Sequence, residues 1–259
     1  MSKLKHLTPL VLALLVAAIV SAMAGRPHNK VTSPQEKQAT DDEFQKQFPL
    51  VDYIAPDALS REARAERQRK SAKYDNANLA LDPNITEDGQ ITSFLDWEGG
   101  ASALPVDKSA AIIVGQVTNA QAYLSNNKTA VYSEFTIQID SVLKNDRHMP
   151  LKSGSSVAAE REGGRVRYPT GKIELSLTVV QGMPLPGHSY VLFLTHDFNF
   201  HGTHDDAFHL LTAYELRNGK VFPLDNPGNG THPMAAYTGT DEKAFMNDLR
   251  AALRKAAEK

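Results

Sequence analysis

A histidine-rich segment is the first place in the chain where residue types suggest chemistry. Residues 196–209 read HDFNFHGTHDDAFH and hold four of the nine histidines. Imidazole and carboxylate groups are zinc ligands, and His201 and His204 could meet on a tight loop. A long connection with Gly202 at its tip fixes no tetrahedral geometry and supports each ring poorly. We therefore expect a solvated β-hairpin and assign no metal ligand and no cofactor, with metal binding kept as an alternative. The residues concerned are His196, His201, His204, His209, Asp197, Asp205 and Asp206.

Two serine motifs resemble parts of hydrolase active sites but lack their partners. The stretch from Ser141 to Lys144 (SVLK) matches S-x-x-K, which requires a helix, whereas we expect a strand here. The stretch GHS at Gly187 begins like a nucleophile elbow, but Val191 occupies the place of the closing glycine. Carboxylate pairs meet in space rather than in sequence. A hydrolase with a spatially assembled carboxylate or Ser–His site is thus the first alternative, and no catalytic residue is assigned.

A charged run from 160 to 172 suggests a hairpin. If Gly163-Gly164 forms a two-residue turn, Glu162 faces Arg165 and Glu160 faces Arg167. Cross-strand pairs of this kind contribute a few tenths to about 1 kcal/mol each. We expect a self-neutralised, solvated hairpin rather than an anion-binding site.

Composition excludes several classes of function. The chain has no cysteine, which removes thiol nucleophiles, thiolate metal sites and CxxC redox chemistry. Its formal net charge is -2, so it lacks the basic field of a sequence-blind nucleic-acid binder. We expect no nucleic-acid partner. An exported domain without disulfides must also rely on its own hydrophobic core.

Residues 1–24 have the pattern of an export signal. Lys3 and Lys5 precede the apolar run 7–20, and Ala22 and Ala24 occupy the two small-residue positions read by a signal peptidase. We expect cleavage after Ala24, a periplasmic or extracellular location, and no stable membrane insertion afterwards. An uncleaved anchor helix is the alternative, because the apolar stretch is near the lower limit for a membrane span.

Residues 25–90 predict a flexible polar segment with one helix. The segment is punctuated by prolines and has no sustained apolar period. Its stretch 56–74 (PDALSREARAERQRKSAKY) favours a helix carrying mixed charges. The apolar face of this helix is thin, so we expect it to be solvated rather than docked.

Residues 91–237 predict a mostly β domain. Val131, Phe135 and Ile139 lie on one face of the clearest strand, and Glu134 and Asp140 on the other. Short strands without intervening helices favour an antiparallel barrel or sandwich. The expected strands are 111–117, 131–140, 155–160, 165–168, 173–180, 190–195, 208–216 and 221–224. Expected buried residues are Trp97, Phe135, Ile137, Ile139, Leu192, Leu194 and Tyr214.

Residues 238–259 predict a C-terminal helix that packs on the barrel. Thr240 is the expected N-cap. An apolar stripe at Phe245, Leu249, Leu253 and Ala256 recurs every third or fourth residue.

The stretch 112–224 resembles a family of poorly characterised secreted bacterial proteins. The matching pieces are IIVGQV, YSEFTIQIDSVLK, REGGRVRYPTGK, GMPLPGHSYVLFL and FHLLTAYELRNGKVFPLD. More remotely, it is similar to netrin-like and metalloproteinase-inhibitor-like domains, which are five-stranded OB barrels. That resemblance implies an OB-like (netrin-like) barrel. The inhibitors act through an N-terminal cysteine that this chain lacks, so inhibition does not carry over.

Taken together, these features favour an exported binding or adaptor domain of the cell envelope. Its expected partner is a protein or a glycan. Fold alone does not determine function, so the hydrolase and metal-binding alternatives stay open at this point.

Overall fold

A computed structural model describes the chain in seven stretches. They are residues 46–54, 60–75, 81–93, 102–178, 181–198, 203–225 and 233–258. The chain divides into the units Met1–Asp42 and Glu43–Lys259, and the described residues all belong to the second. The export signal, Trp97 and His201 lie outside the described residues.

The described chain contains two α-helices, a 3₁₀-helix and eleven strands. The helices are α1 (Arg61–Ala72) and α2 (Glu242–Ala257), and the 3₁₀-helix is Pro233–Tyr237. The strands are β1 (Leu50–Asp52), β2 (Gly89–Ser93), β3 (Ala111–Leu124), β4 (Val131–Lys144), β5 (Ser156–Glu162), β6 (Gly164–Arg167), β7 (Ile173–Thr178), β8 (Ser189–Phe198), β9 (Thr203–Arg217), β10 (Lys220–Pro223) and β11 (Thr240–Asp241).

Five strands close into a barrel in the order β3–β4–β5–β9–β8, and β8 pairs back with β3. Four of these pairings are antiparallel, whereas β5 and β9 run parallel. The expected mostly β barrel is therefore confirmed, and its pairing is antiparallel except between β5 and β9. Strands β10 and β11 extend the sheet beyond β9.

All eight predicted strands are present at their expected places, and several extend further. Gly115 lies at a register shift between β3 and β4. A Cβ at this position would come within 2.5 Å of the backbone oxygen of Gln138. The glycine thus allows the two strands to approach closely at the bulge.

Alternating residues of β4 fill the barrel. Phe135, Ile137 and Ile139 are buried in the main core cluster together with Leu192 and Leu194 of β8. Tyr214 is also buried, in a second cluster beneath α2. These six predictions are confirmed. The opposite face of β4 includes Glu134 and the exposed Asp140, as the period of two requires.

The expected hairpin at 160–167 was wrong. Strands β5 and β6 belong to different sheets, and Gly163-Gly164 carries the chain from one to the other with φ values of 111° and 151°. Arg165 donates from Nε to the Phe48 carbonyl at 2.8 Å, and Arg167 pairs with Asp52 at 3.3 Å. The arginines therefore bind the N-terminal segment rather than Glu160 and Glu162.

The N-terminal segment contributes to this second sheet, whose order is β1–β6–β7–β2. Strand β1 adds parallel to β6, and β2 adds parallel to β7. The predicted boundary at residue 91 consequently does not mark the beginning of the β structure. One edge of the β6–β7 ribbon is paired by β1, which lies in the predicted polar segment 25–90, and the other by β2, which crosses the end of that segment.

Helix α2 packs on the barrel through its apolar stripe. Asp241 is its N-cap, accepting from the backbone N–H groups of Lys243 and Ala244, so the expectation of Thr240 was wrong by one residue. The shift follows from chemistry, because the Asp241 carboxylate also carries a negative charge to the helix N-terminus. Phe245 and Leu249 are fully buried.

Neither helix in the described part of the chain has the length and apolar character needed to cross a membrane.

Candidate binding groove

Helix α1 lies within the predicted stretch 56–74 but is shorter. Ser60 caps it, since its hydroxyl oxygen accepts from the Ala63 N–H at 3.0 Å. Glu62 in the first turn and Arg69 and Lys70 in the last turn are placed favourably for the helix dipole. The apolar face is as thin as expected.

Most of the helix is exposed, as expected. Its last turn nevertheless docks on the barrel, so the expectation that the helix does not dock was wrong. Lys70 Nζ lies 2.6 Å from Glu134 Oε2 on β4. The hydroxyls of Ser71 and Tyr132 are 3.1 Å apart. Burial would lower the pKa of Lys70, but its bond to Glu134 and the nearby acids raise it overall. Hydrogen bonds and an ion pair to the outer face of the barrel hold the helix in place of apolar contacts.

Tyr74, just after the helix, anchors this contact. Its ring stacks on Tyr132 with centroids 4.1 Å apart and an interplanar angle of 4°. Its hydroxyl donates to Glu160 Oε2 at 2.9 Å. Burial first, and then the charge of Glu160, raises the pKa of Tyr74 well above its ordinary value. Burial also raises the pKa of Tyr132 to about 12.

Glu160 on β5 is the central side chain of this region. It is 2% exposed, and its Oε2 also receives Lys73 Nζ at 2.9 Å. Its second carboxylate oxygen, Oε1, is buried and has no hydrogen-bond partner among the described residues. A buried carboxylate oxygen without a donor is unusual, because desolvating it costs free energy that a bond would recover.

A groove of about 540 Å³ opens between α1, the loop at 149–151, β5 and the beginning of β9. We call it the α1–β5 groove. Its charged lining comprises three acids and three bases, and the exposed Met149 and Ala158 contribute apolar surface. The charged residues are Glu66, Glu160, Asp206, Arg69, Lys70 and Lys73.

The groove follows from the way in which the barrel closes. The parallel ladder between β5 and β9 contains only two residue pairs, Ala159 with Phe208 and Glu160 with His209. The preceding residues of β5, from Ser156 to Ala158, pair with β4 but lie outside the ladder with β9. The two strands therefore separate at this end of the ladder, and α1 forms one wall of the resulting opening.

The histidine-rich segment forms the expected hairpin, since Phe198 of β8 pairs with Thr203 of β9. It is not solvated throughout. His196 is buried, stacks on Phe208 at 4.6 Å and bonds through Nδ1 to the Ala207 carbonyl at 2.9 Å. His209 is buried as well.

These histidines do not assemble into a metal centre within the described residues. The Nε2 of His196 faces Asp146 Oδ2 at 3.5 Å. Burial opposes ionisation of Asp146, but backbone N–H groups of Met149 and His148 lower its pKa overall. His204 pairs in register with Asp197, and Asp206 is exposed at the groove. Across the described chain, no three His, Asp or Glu residues are grouped to hold a metal ion.

The serine motifs are used structurally. Lys144 lies on β4, as expected, and its ammonium donates to the carbonyls of Val106, at 2.9 Å, and Ser109. His188 Nδ1 lies 2.8 Å from Glu215 Oε1, and Ser189 begins β8. The structure thus brings neither Ser141 nor Ser189 into a nucleophile–base pair with these partners.

Sequence reasoning missed a buried ion pair between Arg161 and Asp225. The two guanidinium nitrogens meet the two carboxylate oxygens at 2.8 and 2.9 Å, the bidentate geometry that favours arginine. The alternation of side chains along β5 could have revealed this pair. Arg161 lies on the same face of the strand as Ala159 and Val157, which pack into the barrel core. An inward-facing arginine requires a buried carboxylate partner.

Comparison of the chain with protein families, curated proteins and solved structures gives no match.

Proposed function

We propose that this chain is an exported binding module of the cell envelope and that it holds its ligand in the α1–β5 groove. The observation that carries the proposal is the groove itself. Its volume of about 540 Å³ lies within the range of small-molecule and cofactor sites. It also combines apolar surface with a few convergent polar groups, as such sites do.

The barrel supports this location by analogy of fold. We propose that it is of the OB type, with five strands and one parallel junction between β5 and β9. OB barrels bind ligands on the face of their second and third strands. In this chain those strands are β4 and β5, and β5 forms one wall of the groove. The resemblance is structural, so the ligand must be argued from the groove.

Nucleic acid is not the proposed ligand. OB domains that bind single strands stack bases on aromatic residues in a positive groove. Here the candidate face carries Glu134 and Glu160, and Tyr74 and Tyr132 stack on each other. A salt-sensitive micromolar affinity for single-stranded DNA or RNA in an anisotropy assay would contradict this.

The binding proposal is tested by blocking the groove. Ala158 is an exposed residue of the groove lining, so Ala158→Trp adds bulk there without entering the core. Ala251→Trp makes the same change at an exposed position of α2. We expect wild type and Ala251→Trp to co-sediment with cell-envelope material of the producing organism, and Ala158→Trp to lose this retention. Equal retention of all three proteins would overturn the proposal.

Export is tested separately. We propose a mature protein that begins at Gly25, because Ala22 and Ala24 form the cleavage pattern. N-terminal sequencing of the protein from envelope fractions is expected to read Gly25. Finding Met1 or Ser2 intact there would favour the anchor alternative.

A further inference from the structure

We propose that the ligand of the α1–β5 groove is a neutral, hydroxyl-rich saccharide, and that one sugar hydroxyl donates a hydrogen bond to Glu160 Oε1. This inference rests on the proposed binding function and specifies its ligand class. It begins from the buried carboxylate of Glu160, whose two oxygens have unequal surroundings.

The unpartnered oxygen identifies what the ligand must supply. Glu160 Oε2 receives both the Tyr74 hydroxyl and the Lys73 ammonium at 2.9 Å. Oε1 receives no donor from the described chain. An ionised carboxylate only accepts hydrogen bonds. Oε1 is enclosed by its neighbours, so a ligand hydroxyl reaches it only when the Glu160 carboxyl shifts toward the groove. The charge-assisted O–H···O⁻ bond formed there is stronger than a neutral one.

The charge of the lining favours a neutral ligand. Three carboxylates and three cationic side chains line the groove, so their formal charges cancel. An anionic ligand would approach Glu160 and Asp206, and a cationic ligand would approach Lys70 and Lys73. Either would also meet opposite charge, but Arg69, Lys70 and Lys73 already pair with Glu66, Glu134 and Glu160. A charged ligand would therefore have to displace an existing partner. A neutral molecule that both donates and accepts hydrogen bonds meets no such opposition.

The rest of the lining matches the two kinds of surface on a sugar ring. Arg69 shares its Nη2 with Glu66 at the exposed rim and presents further N–H groups that can donate to hydroxyl oxygens. Met149 and Ala158 are exposed and provide apolar surface for the C–H face of a ring. Saccharides therefore complement the groove better than small anions or amines do.

Calorimetry with defined probes tests the ligand class. The purified protein would be titrated with maltotetraose and cellotetraose as neutral saccharides, tetragalacturonate as an anionic saccharide and spermidine as a cation. We expect binding of at least one neutral saccharide, and weaker or no binding of the two charged probes. Preferential binding of tetragalacturonate or spermidine would overturn the inference.

Glu160→Gln tests the role of the carboxylate, and Glu134→Gln is its matched control. Both glutamates pair with a lysine of the α1 region, Lys73 for Glu160 and Lys70 for Glu134. Of the two, only Glu160 lines the groove. We expect Glu160→Gln to weaken saccharide binding at least about tenfold, because that is the change in affinity that follows from losing a hydrogen bond to a charged acceptor. We expect Glu134→Gln to leave the affinity unchanged. Equal affinities in both variants would contradict the assignment.

A second measurement covers the case in which Glu160→Gln does not fold. Envelope material can be treated with periodate, which cleaves vicinal diols of sugars, or with protease. We expect periodate to abolish the groove-dependent retention and protease to leave it. The reverse pattern would identify a protein partner and overturn the saccharide inference, while the loss of retention in Ala158→Trp would still support the binding function. Retention unaffected by Ala158→Trp would instead defeat the binding function itself.

Discussion

Two helices pack on the same barrel in different ways. Helix α2 buries Phe245 and Leu249 against Val191, Phe193 and Tyr214. Helix α1 docks through Lys70 and Ser71, together with Lys73 and Tyr74 just beyond its end. Apolar side chains can close an interface at high packing density. Long charged side chains instead reach across space, and on the α1 side they leave a groove with a buried carboxylate.

The difference between the two helix interfaces indicates where a ligand site is expected in this fold. Core formation accounts for the α2 interface, because its buried side chains are mostly apolar and the Tyr214 hydroxyl donates to the Ala103 carbonyl. The α1 interface buries Glu160 at a cost that packing alone does not offset. A polar interface with an incompletely bonded carboxylate is therefore the better candidate for a ligand site.

Removal of the Phe245 side chain from the α2 interface should have the largest effect on stability. Phe245 is fully buried and packs against Tyr214 with centroids 4.7 Å apart. Phe245→Ala is expected to lower the free energy of unfolding by about 3–5 kcal/mol, since it removes buried surface and leaves a cavity. Urea denaturation measures this. A loss below about 1 kcal/mol, the usual range of exposed substitutions, would mean that α2 does not belong to the core.

Alkaline pH should weaken the α1 interface. Burial raises the folded-state pKa of Tyr132 to about 12, above the unfolded value of about 10. This contribution is fully present below pH 10 and is lost as pH rises through 12, an effect of about 2–3 kcal/mol. Urea denaturation at pH 8 and at alkaline pH should show a smaller alkaline loss in Tyr132→Phe than in wild type. Identical losses would contradict the buried position of this hydroxyl.

Removal of the Tyr74 hydroxyl should release α1 without disturbing the barrel. Tyr74→Phe keeps the ring stack on Tyr132 but deletes the donor to Glu160. Bonds to charged groups contribute about 1.5–3 kcal/mol, so the opening free energy of α1 amides in hydrogen exchange should fall by that amount. Exchange in β4 should stay unchanged. Unchanged protection of α1 would show that the hydroxyl does not hold the helix.

The Lys70–Glu134 pair should contribute least. Both side chains are partly exposed, at 24% and 20%, and solvent screens such pairs. A double-mutant cycle with Lys70→Met and Glu134→Gln is expected to give a coupling energy of about 0.2–1 kcal/mol. A coupling above about 3 kcal/mol, typical of breaking a buried pair, would place this contact in the core of the interface.

Alternation and helical period made most of the barrel and α2 predictable. The spacing of apolar residues alone predicts that Phe135 and Ile137 on β4 and Phe245 on α2 are buried. The location of α1 was predictable, but its docking was not. Lys73 and Glu160 belong to no periodic pattern of residues. Their pairing depends on contact between two segments that are far apart in the sequence. The prediction of a hairpin at Gly163 was wrong for the same reason. It considered only local charge pairs between neighbouring strands, whereas β6 pairs with β1 and β7.

An NMR titration locates the bound ligand on the fold. The ¹⁵N-labelled protein would be titrated with whichever neutral saccharide binds in calorimetry, and amide shifts would be mapped on the fold. We predict that the largest shifts cluster at residues 156–158 of β5 and 206–208 of β9, with none along α2. Shifts concentrated on α2 and on residues 102–108, which line a smaller cavity of about 350 Å³, would contradict the account.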